Sequence, residues 1–275
     1  MIPRGFLRCG AWCLVLWLVV ALCNVASGAG IDDLYRAQTI VTGQGEVNRQ
    51  LGFAVCLEDV LIKVSGAFQL SGDARLAPLK ARASEFVVGF DYHDQKAGKP
   101  KHDEQGTRDR SYDLTISFDR TKIDDLLGGL GLKPWLGPRP AIGVVVAMTY
   151  PGKTYLVVSD DRQSDLQRDA LRAAAAKRGL DIVLPNAAAL GATDLHGVRL
   201  VDDPSPVLAV SLPAADVKLF GQLTWDDAQL AWDAQWRLDA AGRQHRWKLH
   251  GATFDEAFRQ SLGGVVQILS GNGEP

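Results

Sequence analysis

The chain has 275 residues and a formal net charge of -2; 47% of its residues are hydrophobic and 23% charged. Such a balance offers no electrostatic footprint for nucleic acid and supplies enough apolar residues for a sizeable core in one or two domains. Of the four cysteines, Cys9, Cys13 and Cys23 sit near the amino end and only Cys56 lies further on, so a disulfide scaffold is excluded as well.

Arg4 and Arg8 precede an unbroken apolar run from Ala11 to Cys23, and small residues follow, with Ser27 and Ala29 suited to a cleavage site. This is the layout of a secretory signal, and the run is too short to cross a bilayer comfortably. The expectation is a leader over residues 1–29, cleavage near Ala29 and a periplasmic location; the alternative is membrane anchoring through an uncleaved leader. Cys23 is a poor lipid-bearing cysteine, because Leu22 stands where lipoprotein signals want a small residue. Cleavage would remove two arginines and bring the charge near -4, leaving Cys56 without an internal disulfide partner.

Residues 33–41, DLYRAQTIV, read as a strand, and TGQGE then turns the chain into a helix from Glu46 to Ser65. Phe53, Leu57, Val60, Leu61 and Val64 recur at three-and-four spacing as one apolar stripe, and Gly66 suits a left-handed cap. A second helix is expected through Leu76 to Phe90, with Leu76, Leu79, Ala83, Phe86, Val87 and Phe90 facing inward and Pro78 in its first turn. Residues 91–110 are polar and without periodicity, a solvated loop or hairpin end. Tyr112, Leu114, Ile116 and Phe118 alternate with polar residues in a strand, and a short helix follows over 120–132. KPWLGPRP, with three prolines and a glycine, is the best boundary, dividing a small module over 30–136 from a domain over 137–275.

Beyond it, AIGVVVAMTY is a continuous apolar run of the kind a central strand shows; YLVVS can pair with it through the PGK turn. A helix through SDLQRDALRAAAAKRG feeds the strand LDIVLP, a β-to-α-to-β order that implies a mixed sheet. Residues 186–213 fit short helices or loops. Then three runs of period two follow: Val217 to Trp225, Leu230 to Leu238 and His245 to Leu249, each with its tryptophans on the apolar side. They describe an antiparallel meander. The final stripe of Phe254, Ala257, Phe258, Leu262, Val265, Val266 and Leu269, opened by a capping box at Thr253 and Glu256, supplies the helix that covers it. The expected class is therefore α/β (α+β): a β-α-β module, then a mixed sheet ending in a covered meander.

Little of this pattern carries chemistry. Cys56 flanks an apolar stripe and has no local base, so it reads as structural. His93, Asp94, His102, Asp103 and Glu104 match no spacing that holds two metal ligands on one turn, and His245 and His250 are isolated. TGQGEV lacks the lysine of a phosphate loop. The acid pairs at Asp124, Asp160, Asp202 and Asp226 with their successors fall at turns or helix starts, where carboxylates cap backbone donors. No cofactor, metal site or catalytic constellation is expected. The polar side of the meander, Lys218, Gln222, Gln235, Arg237, Arg246 and Lys248, is positively charged and forms the candidate interaction surface, and Trp225, near a turn, is the candidate for stacking a ligand.

VLIKVSG, KPWLGPRP and LFGQLTWDDAQLAWDAQWRL, in that order, resemble a family of uncharacterised Gram-negative envelope proteins, domain of unknown function 2066. At fold level the chain is also similar to periplasmic proteins carrying a domain like the amino-terminal domain of the Tol-Pal propeller protein, with flagellar ring components and curli-secretion lipoproteins as related types. The resemblance implies no catalytic residues; it implies proteins that hold other envelope components. The expected role is a non-catalytic periplasmic adaptor or scaffold with an envelope protein as partner, the alternative being a binder of glycan or peptidoglycan fragments.

Overall fold

The computed structural model describes residues 30–98, 102–103, 106–107, 110–190, 199–205, 215 and 217–275. After a single turn, α1 (Ile31–Leu34), come β1 (Arg36–Thr42) and α2 (Glu46–Ser65). Helix α2 ends where the sequence says it must: Gly66 adopts φ 74°, and its N–H bonds the carbonyl of Ile62 at 2.7 Å. A β-carbon at this left-handed position would also meet Ser270.

The second predicted helix is corrected. Its start forms only turns, with α3 (Ala77–Lys80) holding Pro78 in its first positions, and the chain then becomes strand β2 (Val87–Asp94). The reason is the company this segment keeps: Val87, Val88 and Gly89 are poor helix residues, and β2 gains an antiparallel ladder with residues 112–118, shifted in register at Val88. Leu76, Ala83 and Phe86 are buried as expected, whereas Phe90 is half exposed against Phe53. Beyond β2 the two-residue strands β3 (His102–Asp103) and β4 (Gly106–Thr107) pair with each other. Strand β5 (Ser111–Phe118) lies between its neighbours in an antiparallel sheet of order β1-β5-β2, and α4 (Arg120–Gly129) follows. Helix α2 covers one face of this sheet, and a core of Phe53, Leu57, Val60, Leu61, Leu114 and Ile116 fills the space between them.

The second sheet is mixed, as expected. Strand β6 (Ile142–Thr149) is buried on both faces and runs parallel to β9 (Val217–Asp226) and to β8 (Ile182–Val183), antiparallel to β7 (Thr154–Leu156). Helix α5 (Asp165–Lys177) makes the crossover, and the short α6 (Ala187–Leu190) follows β8. Strands β10 (Ala231–Ala240) and β11 (Arg243–Ala252) complete the meander, and α7 (Phe254–Leu269) lies on it. The Thr253 hydroxyl accepts the N–H of Glu256 at 3.2 Å. Trp236 is 0% exposed and edge-on to Phe258 of α7. Its ring passes over Gly221, where a β-carbon would come within 2.3 Å of it, so no larger residue fits beneath the indole. The tryptophan-rich face is a core, consistent with the large apolar area each ring withdraws from water.

Candidate functional site

The two modules are clasped through the junction rather than strung on it. Arg139, within the proline-rich segment, donates to the carbonyl of Lys63 at the end of α2 (2.6 Å) and to that of Arg178 just past α5 (2.7 Å), with its guanidinium 4.2 Å from the centre of the Trp135 ring. The N–H of Trp135 bonds the carbonyl of Val64 at 2.7 Å. One planar cation thus satisfies the ends of two helices, whose unpaired carbonyls favour positive charge. Burial pushes its pKa down to about 10. Beside it, Asp59 of α2 is ion-paired with Lys177 at 2.9 Å and Arg178 at 3.4 Å.

Against this clasp lies a groove of about 650 Å³ between β1 and α5, lined by Arg36 to Ile40 on one side and Ala173, Ala176 and Lys177 on the other, with Lys63 among the lining residues. Volumes of this order are typical of ligand sites. Its chemistry follows from register. Phe118 N–H bonds the carbonyl of Tyr35 and Gly43 N–H that of Arg110, so in the intervening antiparallel ladder Ala37, Thr39 and Val41 pair with β5. The N–H and C=O groups of Arg36, Gln38, Ile40 and Thr42 consequently point to the other edge. Among the described residues no strand pairs with that edge. Lys63 takes the carbonyl of Arg36 at 2.5 Å and Asn48 takes that of Thr42, but among the described residues the backbone groups of Gln38 and Ile40 have no such partner. Ile40 is 64% exposed beside them.

Lys63 itself is 8% exposed, its ammonium donating to the carbonyls of Asp33 (3.2 Å) and Arg36. Burial lowers its pKa to about 8, against the opposing field of Asp59. Cys56, two turns earlier on the same face of α2, is fully buried, and its thiol is pushed up to about 12 by burial and then by Asp59, which fits a structural residue. A second groove, about 790 Å³, runs between α2 and α3 past the exposed Val47 and Leu51. Its walls mix apolar residues with Glu46, Glu58, Asp73 and Lys80, and no strand edge lines it.

The meander residues divide. Lys218, Gln222 and Gln235 are half-buried, while Arg246 and Lys248 are exposed. Arg237 does not belong to an accessible surface: it is 7% exposed, doubly bonded to Asp239 at 2.8 Å and set against the buried ring of Phe220. The face opposite the tryptophans is thus partly interior, Val145 and Phe220 being paired across β6 and β9 there, and the contact of Arg246 with Asp202 at 3.5 Å brings residues 199–205 to this side. Trp225 is half-buried, its ring 5.4 Å from Trp232 and 5.5 Å from Tyr150, and its indole N–H bonds Asp227 at 2.9 Å. Tyr150, 49% exposed, is the accessible ring of that cluster.

The remaining polar residues have local partners. Asp161, Asp203 and Asp226 accept backbone N–H groups at turns, as their positions imply, whereas Asp124 instead holds the hydroxyl of Tyr35 at 2.7 Å. His93 faces Asp113, His245 faces Glu274 and His250 faces Asp233, three separate pairs. Asp94 pairs with Arg110 at 2.7 Å. The backbone of His102 and Asp103 forms β3, and Glu104 lies outside the described residues. Among the described residues no helix is long and apolar enough to cross a membrane.

Lys63, Gln38 and Ile40 went unmarked by sequence patterns. A signal exists for the first, a lysine inside the buried run DVLIKVSG; nothing in RAQTIVT announces which edge stays open. No curated protein and no solved structure matches the chain. Residues 29–136, which hold β1, α2 and the sheet edge, match the family model described as Domain of unknown function (DUF8605), an uncharacterised domain family.

Proposed function

We propose that this is an exported, periplasmic adaptor that works without chemistry of its own, by holding an extended segment of another envelope protein against the open edge of β1. The observation that carries the reading is the pairing of that unpartnered edge, at Gln38 and Ile40, with a groove of about 650 Å³. An edge left unguarded invites another chain, and strand addition is a recurrent mode of peptide capture. The apolar run after Arg4 and Arg8 supports export, and the order of VLIKVSG, KPWLGPRP and the tryptophan meander, similar to domain of unknown function 2066, supports an envelope role. Arg246 and Lys248, exposed on the meander, form a second surface for the same partner.

The test is cross-linking in intact cells through a carboxyl-terminal tag, followed by identification of what is attached, in the native protein and in Ile40→Pro. The N–H of Ile40 points away from β5, so proline at this edge position removes a donor to the partner while leaving the ladder within the module intact. Capture of one envelope protein by the native chain and its loss in a folded Ile40→Pro variant is the expected result. Equal capture by both would remove the β1 edge from the account.

The alternative, binding of a glycan or peptidoglycan fragment, is favoured only by the aromatic cluster of Tyr150, Trp225 and Trp232 at one end of the sheet. A ligand stacked on Tyr150 would change tryptophan fluorescence on titration with cell-wall fragments. A flat response is expected from the adaptor.

A further inference from the structure

Lys63 presents three donors, and the carbonyls of Asp33 and Arg36 occupy two of them. Neither Lys63 nor Arg36 has a carboxylate within ion-pair distance among the described residues. The acids of the groove are differently engaged: Asp59 is held by Lys177 and Arg178, and Asp113 by Gln95 and His93, while the exposed Asp33 touches Lys63 only through its carbonyl, its carboxylate acting from beyond ion-pair distance. A buried ammonium with no carboxylate in contact is costly, and at Lys63 that burial outweighs the favourable fields of Asp59 and Asp33 and lowers the pKa. Lys63 also closes the ladder at one end by taking the Arg36 carbonyl, so an incoming strand can pair with Gln38 and Ile40 without displacing it. A charge at this spot and a backbone ladder beside it are complementary features of one groove.

Resting on the strand-addition reading above, we propose that the segment received at the β1 edge is acidic. An aspartate or glutamate side chain lies beyond the paired backbone of Gln38 and Ile40 and places its carboxylate on the ammonium of Lys63, with Arg36 adding positive potential at the mouth of the groove. The carboxylate completes the third donor of Lys63 in a part-buried setting, where a charge-assisted bond is strongest.

The experiment selects peptides from a displayed random library, each held between flanking sequences so that no free terminus is present, on the purified full-length protein. The expected result is an enriched extended motif with one acidic position, protection of the Gln38 and Ile40 amides from hydrogen exchange on binding, and about tenfold or greater loss of affinity when that acid is changed to its amide. The preference for acid over amide should vanish in Lys63→Met and shrink in Arg36→Gln, the second position being exposed at the surface. Selected peptides that protect Gln38 and Ile40 yet tolerate the amide equally would overturn the acidic preference while leaving strand addition standing. Peptides that bind without protecting those amides, or no peptides at all, would overturn both. An acid preference that survives in both variants would place the anion contact elsewhere and sink the assignment to Lys63.

Discussion

Lys63 and Cys56 show how one buried helix face sets two proton affinities in opposite directions. Both groups resist ionising in the apolar space under α2, which lowers the lysine to about 8 and raises the thiol to about 12. The consequences for stability oppose each other. Between about pH 8 and the ordinary lysine value of 10.5, the unfolded chain binds more protons at position 63 than the folded one, so stability rises with pH. From the ordinary thiol value of 9 upward, the folded chain keeps a proton on Cys56 that the unfolded chain loses, so stability falls. Cys56→Ala therefore uncovers the lysine. Urea unfolding of this variant should show stability increasing from pH 8 to pH 10 by on the order of 1–2 kcal/mol; above pH 10, Tyr35, held up to about 12 by burial and Asp124, and Arg139, pushed down to about 10, act with opposite sign. A variant whose stability is flat over this range would mean that Lys63 is hydrated in the folded protein.

At the scale of elements, the proline-rich junction is a clasp. Its three prolines and glycine mark a break in periodic structure, which was legible; that Arg139 reaches back to the ends of two helices was not, because Lys63 and Arg178 lie far from it along the chain. Arg139→Ala leaves two helix-terminal carbonyls and the Trp135 face without their partner. It should lower stability by roughly 2–4 kcal/mol, as removal of a buried, hydrogen-bonded charge does. Arg139→Lys should recover only a minor part, since an ammonium cannot reproduce the planar fork that spans both carbonyls. The check is the urea midpoint of the three proteins; full recovery by lysine would reduce the clasp to simple charge at helix ends. The missed element, β2 in place of a helix, has the same origin. Its apolar positions suit either period, and the partner that decides between them, β5, begins only after a long polar segment.

For the whole molecule, sequence alone determined the parts in which neighbours along the chain are neighbours in space: α2 with its left-handed cap at Gly66, the period-two meander with its tryptophans inward, and α7 with its cap at Thr253. Local periodicity states which face is apolar, and an apolar face must be covered. Tertiary structure decided what no period encodes. Arg237 alternates correctly with its polar neighbours yet is buried, because the second face of that sheet is not wholly given to water. Gln267 and Asn272, from the carboxyl end, bond the backbone of Gln69 and Ser65 and so seat α7 and its extension on the end of α2. The open edge of β1 is of the same kind. A strand sequence specifies its alternation of side chains, but which of its two edges finds a partner depends on the order of strands in the sheet, and that order is settled only when chain segments distant in sequence meet.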